Sequence, residues 1–129
     1  MDWKTILAVG IGGGIGAILR YAIGSVFVQR FGAGFPWGTV FINVSGSFLI
    51  GVIAQFALTR AFGVTPMVRI FASAGILGGY TTFSTFSLDS IVLIGDGAAT
   101  QALLYVLASV AAGIMAAYAG QACARLGLG

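Results

Sequence analysis

Histidine is absent from this chain of 129 residues, cysteine occurs once, and aspartate and glutamate together number three. Without histidine and with Cys123 alone, a zinc or haem site on the usual ligands is not expected, and no internal disulfide can form. The same shortage leaves no nucleophile and base that could work as a pair, so an enzyme is not expected. Charge of either sign is scarce, at 7% of residues. The six basic residues Lys4, Arg20, Arg30, Arg60, Arg69 and Arg125 are scattered, with no run that could track a phosphate backbone. Nucleic acid is therefore not the partner.

What fills the chain instead is apolar: 59% of residues, with a mean hydropathy of +1.07. A soluble domain is nowhere near that composition, and the solvent it implies is the lipid bilayer. Four mostly apolar stretches, each long enough at about 1.5 Å per residue to cross a hydrocarbon core of about 30 Å, account for nearly the whole sequence. Their expected limits are 3–30, 38–59, 66–94 and 98–123, which gives one all-α membrane domain and no second domain. The first run is longer than a signal-peptide core and lacks a cleavage site, so it is read as a membrane helix. Connectors carry turn chemistry, at Phe35-Pro36-Trp37-Gly38, at Thr65-Pro66 with threonine as N-cap, and at Gly95-Asp96-Gly97. Trp3 and Trp37 fall at helix ends, where interfacial tryptophan is common.

Twenty-one glycines would ruin a soluble helical bundle, but in lipid small residues let backbones approach and replace the missing hydrophobic drive. Gly10/Gly14, Gly12/Gly16 and Gly75/Gly79 have the spacing for such packing. Gly12-x-Gly14-x-x-Ala17 nearly spells a dinucleotide fingerprint but lies inside a membrane helix with no preceding strand, and Asn43-Val44-Ser45 matches a glycosylation acceptor too deep to be a surface loop. Both matches are set aside.

Polar side chains are expensive in lipid, so those that remain are informative. Gly78-Gly79-Tyr80-Thr81-Thr82-Phe83-Ser84-Thr85-Phe86-Ser87 places five serine and threonine residues behind a glycine pair in one span. Gly78 falls about 18 Å from Pro66 along a helix of about 43 Å, near the midplane. Adjacent glycines followed by paired threonines imply a helix break there, and carbonyls freed at that depth must face protein, water or an ion. A simple kink, with hydroxyls bonding back to the chain, is the alternative.

If helices 1 and 3 start on side A, helices 2 and 4 start on side B. Asn43 then lies about 7 Å, and Tyr105 about 10 Å, from the B end, level with Phe83 and Phe86 in the B half of helix 3. Asn43 and Ser47 share one face, as do Tyr105 and Ser109. Each could be interhelical glue, yet their common depth favours a polar path. Arg20 and Asp89 lie on the same side, as charges at a pore mouth or as residues snorkelling to headgroups. Hydroxyl and amide donors, with the positive edges of phenylalanine rings, suit a small anion that must be compensated for lost hydration. No lysine or arginine in the middle would trap it.

Gly78 to Ser87, with Gly38-Thr39-Val40-Phe41-Ile42-Asn43 and Gly16-x-x-x-Arg20, closely resembles the Fluc (CrcB) family of fluoride channels over essentially the entire chain. That resemblance implies an antiparallel homodimer, two fluoride pores at its interface, and a structural sodium ion (Na+) held centrally by backbone carbonyls of both helix-3 breaks. Residue by residue it assigns Asn43, Phe83, Ser84, Thr85, Phe86, Tyr105 and Ser109 to the fluoride pathway, Arg20 and Asp89 to the vestibule, and the carbonyls of Gly78 and Thr81 to sodium. Members often have glutamate where this chain has Asp89, and some have a serine where it has Gly113.

Four helices are too few to enclose a pore comfortably, which favours a path between subunits. A small four-helix multidrug exporter would be expected to carry an acid in the middle of helix 1, where this chain has only Arg20; a structural subunit of a membrane assembly would rarely need so many hydroxyls in one segment. The expected location is the cell (inner) membrane. Lys4, Arg60, Arg69 and Arg125 collect on side A against Arg30 and the deeper Arg20 on side B, a bias toward one orientation that sits in tension with dual topology.

Overall fold

The computed structural model describes residues 2–59 and 63–127, so Arg60, counted above toward side A, lies outside the described residues. Every long element in them is helical: α1 Trp3–Phe31, α2 Trp37–Thr59, α3 Pro66–Ile70, a π-helical stretch Phe71–Leu77, α4 Gly78–Tyr80, α5 Phe83–Gly95 and α6 Ala99–Leu126. Three of these, α1, α2 and α6, are long and apolar enough to cross a membrane unbroken. The remaining passage, residues 66–95, is made of two halves that join end to end at Thr81 and Thr82. Helix limits fall within three residues of those expected, the largest difference being α6, which continues to Leu126.

Local chemistry sets the ends. Asp2 caps α1 through the Lys4 N–H, and Thr65 caps α3 by accepting from Val68 N–H at 3.3 Å with Pro66 in the first turn. Gly32 and Gly97 leave the helices at φ of 77° and 78°, a conformation that side chains resist.

Few side chains are buried inside the subunit, and large apolar ones such as Ile18, Tyr21 and Ile114 stand exposed along the helices. That is the pattern of a protein whose outer solvent is hydrocarbon, where backbone approach rather than hydrophobic collapse holds helices together. Two seams show it. On α2 and α6, a Cβ built at Gly51 would land on the carbonyl of Ala117, and one at Gly120 on the carbonyl of Phe48. On α1, a Cβ at Gly16 would strike the carbonyl of Ile76 in the π-helical stretch. Of the glycine pairs read from the sequence, Gly12/Gly16 and Gly75/Gly79 lie in this second seam, whereas Gly10 and Gly14 face open space.

The break falls at the threonine pair of the segment in which it was expected, not at the glycines. Gly78 has helical φ and ψ of −62° and −37°, and Gly79 remains in α4, where a Cβ would strike the carbonyl of Gly13. Gly79 is there for close approach to α1, whereas a Cβ at Gly78 would meet nothing nearer than Ser73 O at 3.8 Å. The chain leaves the helix at Thr81 (φ −78°, ψ 159°) and Thr82 (φ −153°, ψ 117°), both extended. Threonine suits this, being β-branched and, at position 82, the N-cap of the next helix.

Candidate functional site

Helix α2 braces the break on both sides. Before it, the hydroxyl of Tyr80 and that of Ser45 lie 2.9 Å apart, with Ser45 also donating to Ile42 O at 3.2 Å. After it, the Asn43 carboxamide makes two reciprocal bonds to one residue: its Nδ2 donates to Thr82 O at 3.1 Å, and Thr82 N–H donates to its Oδ1 at 2.8 Å. The amide can point only one way, because a backbone donor demands the oxygen and a backbone acceptor the nitrogen. Thr82 Oγ1 then accepts from Thr85 N–H at 3.2 Å, donates to Thr85 Oγ1 at 3.0 Å and lies 3.2 Å from Ser84 Oγ. Asn43 thus repairs the broken helix, a role the sequence reading did not give it, while one further amide N–H remains for another acceptor.

The repair is one-sided. Thr81 N–H closes onto Leu77 O at 3.0 Å, and the Thr81 hydroxyl adds a second bond to that oxygen at 2.9 Å. Thr82 N–H, which would have closed onto Gly78 O, is turned to Asn43 instead. The carbonyls that follow Leu77 up to Thr81 are therefore left without their helical donors. At the same point α5 begins, thirteen residues long, with its first N–H groups and the positive end of its dipole at the break. One short segment presents electron-rich oxygens on one side and electropositive N–H groups on the other.

The break opens onto a groove of about 500 Å³ between α2, the two halves of the third passage and α6. Asn43, Ser47, Gly78, Thr81, Thr82, Phe83, Phe86, Ser109 and Gly113 are among the residues that line it. Phe83 is 80% exposed on this rim. Its ring lies 5.7 Å from that of Phe86, which in turn lies 5.2 Å from Tyr105. Ser109 Oγ is buried in the groove wall with no hydrogen-bond partner.

A second cavity of about 640 Å³ reaches from the α1–α2 connector down to the same break, lined by Arg20, Ser25, Thr39, Thr85 and Asp89 among others. Thr82 lines both cavities. Arg20 and Asp89 thus share one space, but the carboxylate is held by neutral donors: Thr39 Oγ1 donates to Asp89 Oδ2 at 2.7 Å and the Tyr105 hydroxyl to the same oxygen at 3.2 Å. Tyr105 is fully buried and stands behind Phe86 instead of lining the groove beside Ser109. Ser84 lines neither of these two spaces and is bonded to Thr82. Thr39, Tyr80 and Thr82 were missed as positioning residues. A signal existed for Thr39, which precedes Asn43 and Ser47 at four-residue spacing on one face of α2.

Among the described residues there is no cluster of acids or cysteines that could hold a metal. A cation here would have to be taken by oxygens of the chain, and the donor-poor carbonyls at Gly78 and Thr81 suit a hard ion of low charge. Two such oxygens are too few to hold one ion by themselves.

The profile of the family described as CrcB-like protein, camphor resistance (CrcB), matches residues 7–121. The chain belongs to the CrcB family. A protein of Rhizobium meliloti (strain 1021) named fluoride-specific ion channel FluC is 50% identical over 120 residues, covering 93% of this chain and 95% of its own. Fluoride-specific ion channel FluC 1 of Nitrobacter hamburgensis is 49% identical over 120 residues, 93% and 94% of the two chains. A CrcB relative from Shewanella halifaxensis, also named fluoride-specific ion channel FluC, is 46% identical over 118 residues, 92% and 94% of the two chains. With three unbroken apolar helices and this membership, the protein is a membrane protein.

Proposed function

We propose that this protein is a fluoride-selective channel, passing fluoride passively out of the cell through pores at the interface of an antiparallel homodimer in the inner membrane. The name borne by relatives of about half identity over nearly the full chain, an ion channel rather than an enzyme, carries the substrate. The geometry supports it independently. An anion that sheds water at the break is offered the spare Asn43 N–H, the Ser109 hydroxyl, the positive end of α5 and the ring edges of Phe83 and Phe86. A groove open along one side, with Phe83 exposed on its rim, supports closure by a second subunit. Inverting that subunit brings the two breaks together, gives each leaflet one polar half, and supplies the extra carbonyls that a central sodium ion needs.

Purified protein in liposomes should release fluoride down its gradient, read with a fluoride electrode, and retain chloride. Equal flux of the two ions, or a requirement for a proton gradient, refutes the channel reading. Sodium-free purification should lower the thermal midpoint of the dimer and restoring sodium should recover it; no change removes the cation. Cys123 is exposed near the end of α6, so an impermeant thiol reagent should label about half the subunits in intact cells and the rest only after permeabilisation. Labelling from one side only, with full reactivity in detergent, overturns the antiparallel arrangement.

A further inference from the structure

Most hydroxyl groups that line the groove are already engaged. Ser73 donates to Arg69 O at 2.8 Å, Thr81 to Leu77 O at 2.9 Å, and Thr82 to Thr85 Oγ1 at 3.0 Å. Bonding back to the carbonyl four residues earlier is the default for a serine or threonine with no other acceptor in a membrane helix. Ser47 departs from it, as does Ser109, whose buried oxygen is unpartnered. Among the described residues Ser47 makes no hydrogen bond, although the carbonyl of Asn43 lies one turn behind it. Its neighbour Ser45 shows the contrast, its hydroxyl being spent on Ile42 O and Tyr80.

The space in front of Ser47 is also kept open. Gly113, one turn beyond Ser109 on α6, faces it, and a Cβ built there would meet Ser47 Oγ at 3.5 Å and no other side chain closely. A glycine on this wall is not needed for helix approach, since that contact is ordinary. It leaves room for something the size of a small ion beside the free hydroxyl. Ser47 is likewise one turn beyond Asn43 on α2, so the donors continue about 5 Å past the break.

We propose that Ser47 is an anion-contacting residue of the pathway: its hydroxyl donates to fluoride one turn beyond Asn43, in the width that Gly113 leaves. The proposal deepens the fluoride reading and rests on it. A lone donor of this kind to an ion is worth roughly tenfold or more in the rate or affinity it supports.

The test is fluoride efflux from liposomes with four variants, each first checked for the wild-type elution of the dimer. Ser47→Ala should slow efflux about tenfold, and Ser47→Thr, which retains the hydroxyl, should stay within about twofold of wild type. Adding Gly113→Ser to Ser47→Ala should restore most of the rate, since it returns a hydroxyl from the opposite wall, whereas adding Gly113→Ala should not. If Ser47→Ala does not yield dimer, the near-isosteric pair Ser47→Val and Ser47→Thr gives the same comparison. Wild-type efflux from Ser47→Ala, or rescue by alanine as good as rescue by serine, overturns the role of Ser47 while leaving the channel intact. Wild-type protein that passes no fluoride overturns the channel reading, and this proposal with it.

Discussion

The same two helices, α2 and α6, are sealed at one end and parted at the other. Toward the end of α2 they meet backbone to backbone, Gly51 on Ala117 and Gly120 on Phe48, and the one buried amide there, Gln55, accepts from Arg125 Nε at 3.1 Å. About one turn earlier along α2 they flank a groove where Ser47 and Ser109 have no partner. Gly113 and Gly120 sit on one face of α6, seven residues apart. One opens the space and the other closes it, so glycine content alone says nothing of its purpose. What decides is whether the opposite wall presents backbone or a free hydroxyl.

Leucine at each of the two glycines breaks this comparison most severely. Gly120→Leu drives a side chain into the Phe48 carbonyl, with Val52 N only 3.2 Å from the first added atom, and neither neighbour can turn aside. Overpacking of about 3 kcal/mol or more against backbone should abolish recovery of folded protein from detergent. Gly113→Leu should instead purify as wild type and pass no fluoride, its side chain filling the groove. Equal damage by the two would erase the distinction between the sealed and the open end.

A smaller effect is expected at the upper end of the groove. Asn43→Leu leaves both Thr82 N–H and Thr82 O unsatisfied at mid-membrane, each at about 1–3 kcal/mol, so the thermal midpoint should fall and efflux should fall with it. Asn43→Asp can still accept from Thr82 N–H but can no longer donate to Thr82 O, and should be intermediate in stability. If Asn43→Leu unfolds no more readily than wild type, the amide does not support the break, and its place in the groove would concern the ion alone.

Much of this was legible beforehand. Hydropathy and connector chemistry located the four passages, because a span of lipid demands a run of apolar residues whatever its neighbours are. The polar cluster after Gly78 announced a broken helix. Within that cluster the chain leaves the helix at the threonines and not at the glycines, since glycine serves both flexibility and close approach, and the backbone of Gly13 lying against Gly79 shows which applies there. Asn43 was read as a donor to an ion, and the structure adds a commitment to the main chain of Thr82 that the sequence did not reveal. Such a bond joins residues far apart in sequence, and depth arguments place the partners at one level without showing which of them touch. Tyr105 is similar: its spacing from Ser109 is right, and the contact that spacing could not reveal is the bond from its hydroxyl to Asp89.

The smallest effect is expected at the sealed end, and it is the sharpest check on the comparison. Gln55 is buried, while Arg125 is exposed and can turn to water or headgroups once its partner is gone. Arg125→Ala strands the Gln55 oxygen and should lower stability by about 1 kcal/mol; Gln55→Leu removes the polar group altogether and should be nearly neutral. The double variant should match Gln55→Leu, giving a coupling of about 1 kcal/mol in a double-mutant cycle read by thermal unfolding. Efflux of fluoride should be unchanged in all three, since neither Gln55 nor Arg125 lines the groove. A variant that keeps wild-type stability and still slows efflux would mean that the seam transmits strain along α2 to Ser47 and Asn43, and the two ends would then have to be treated as one device.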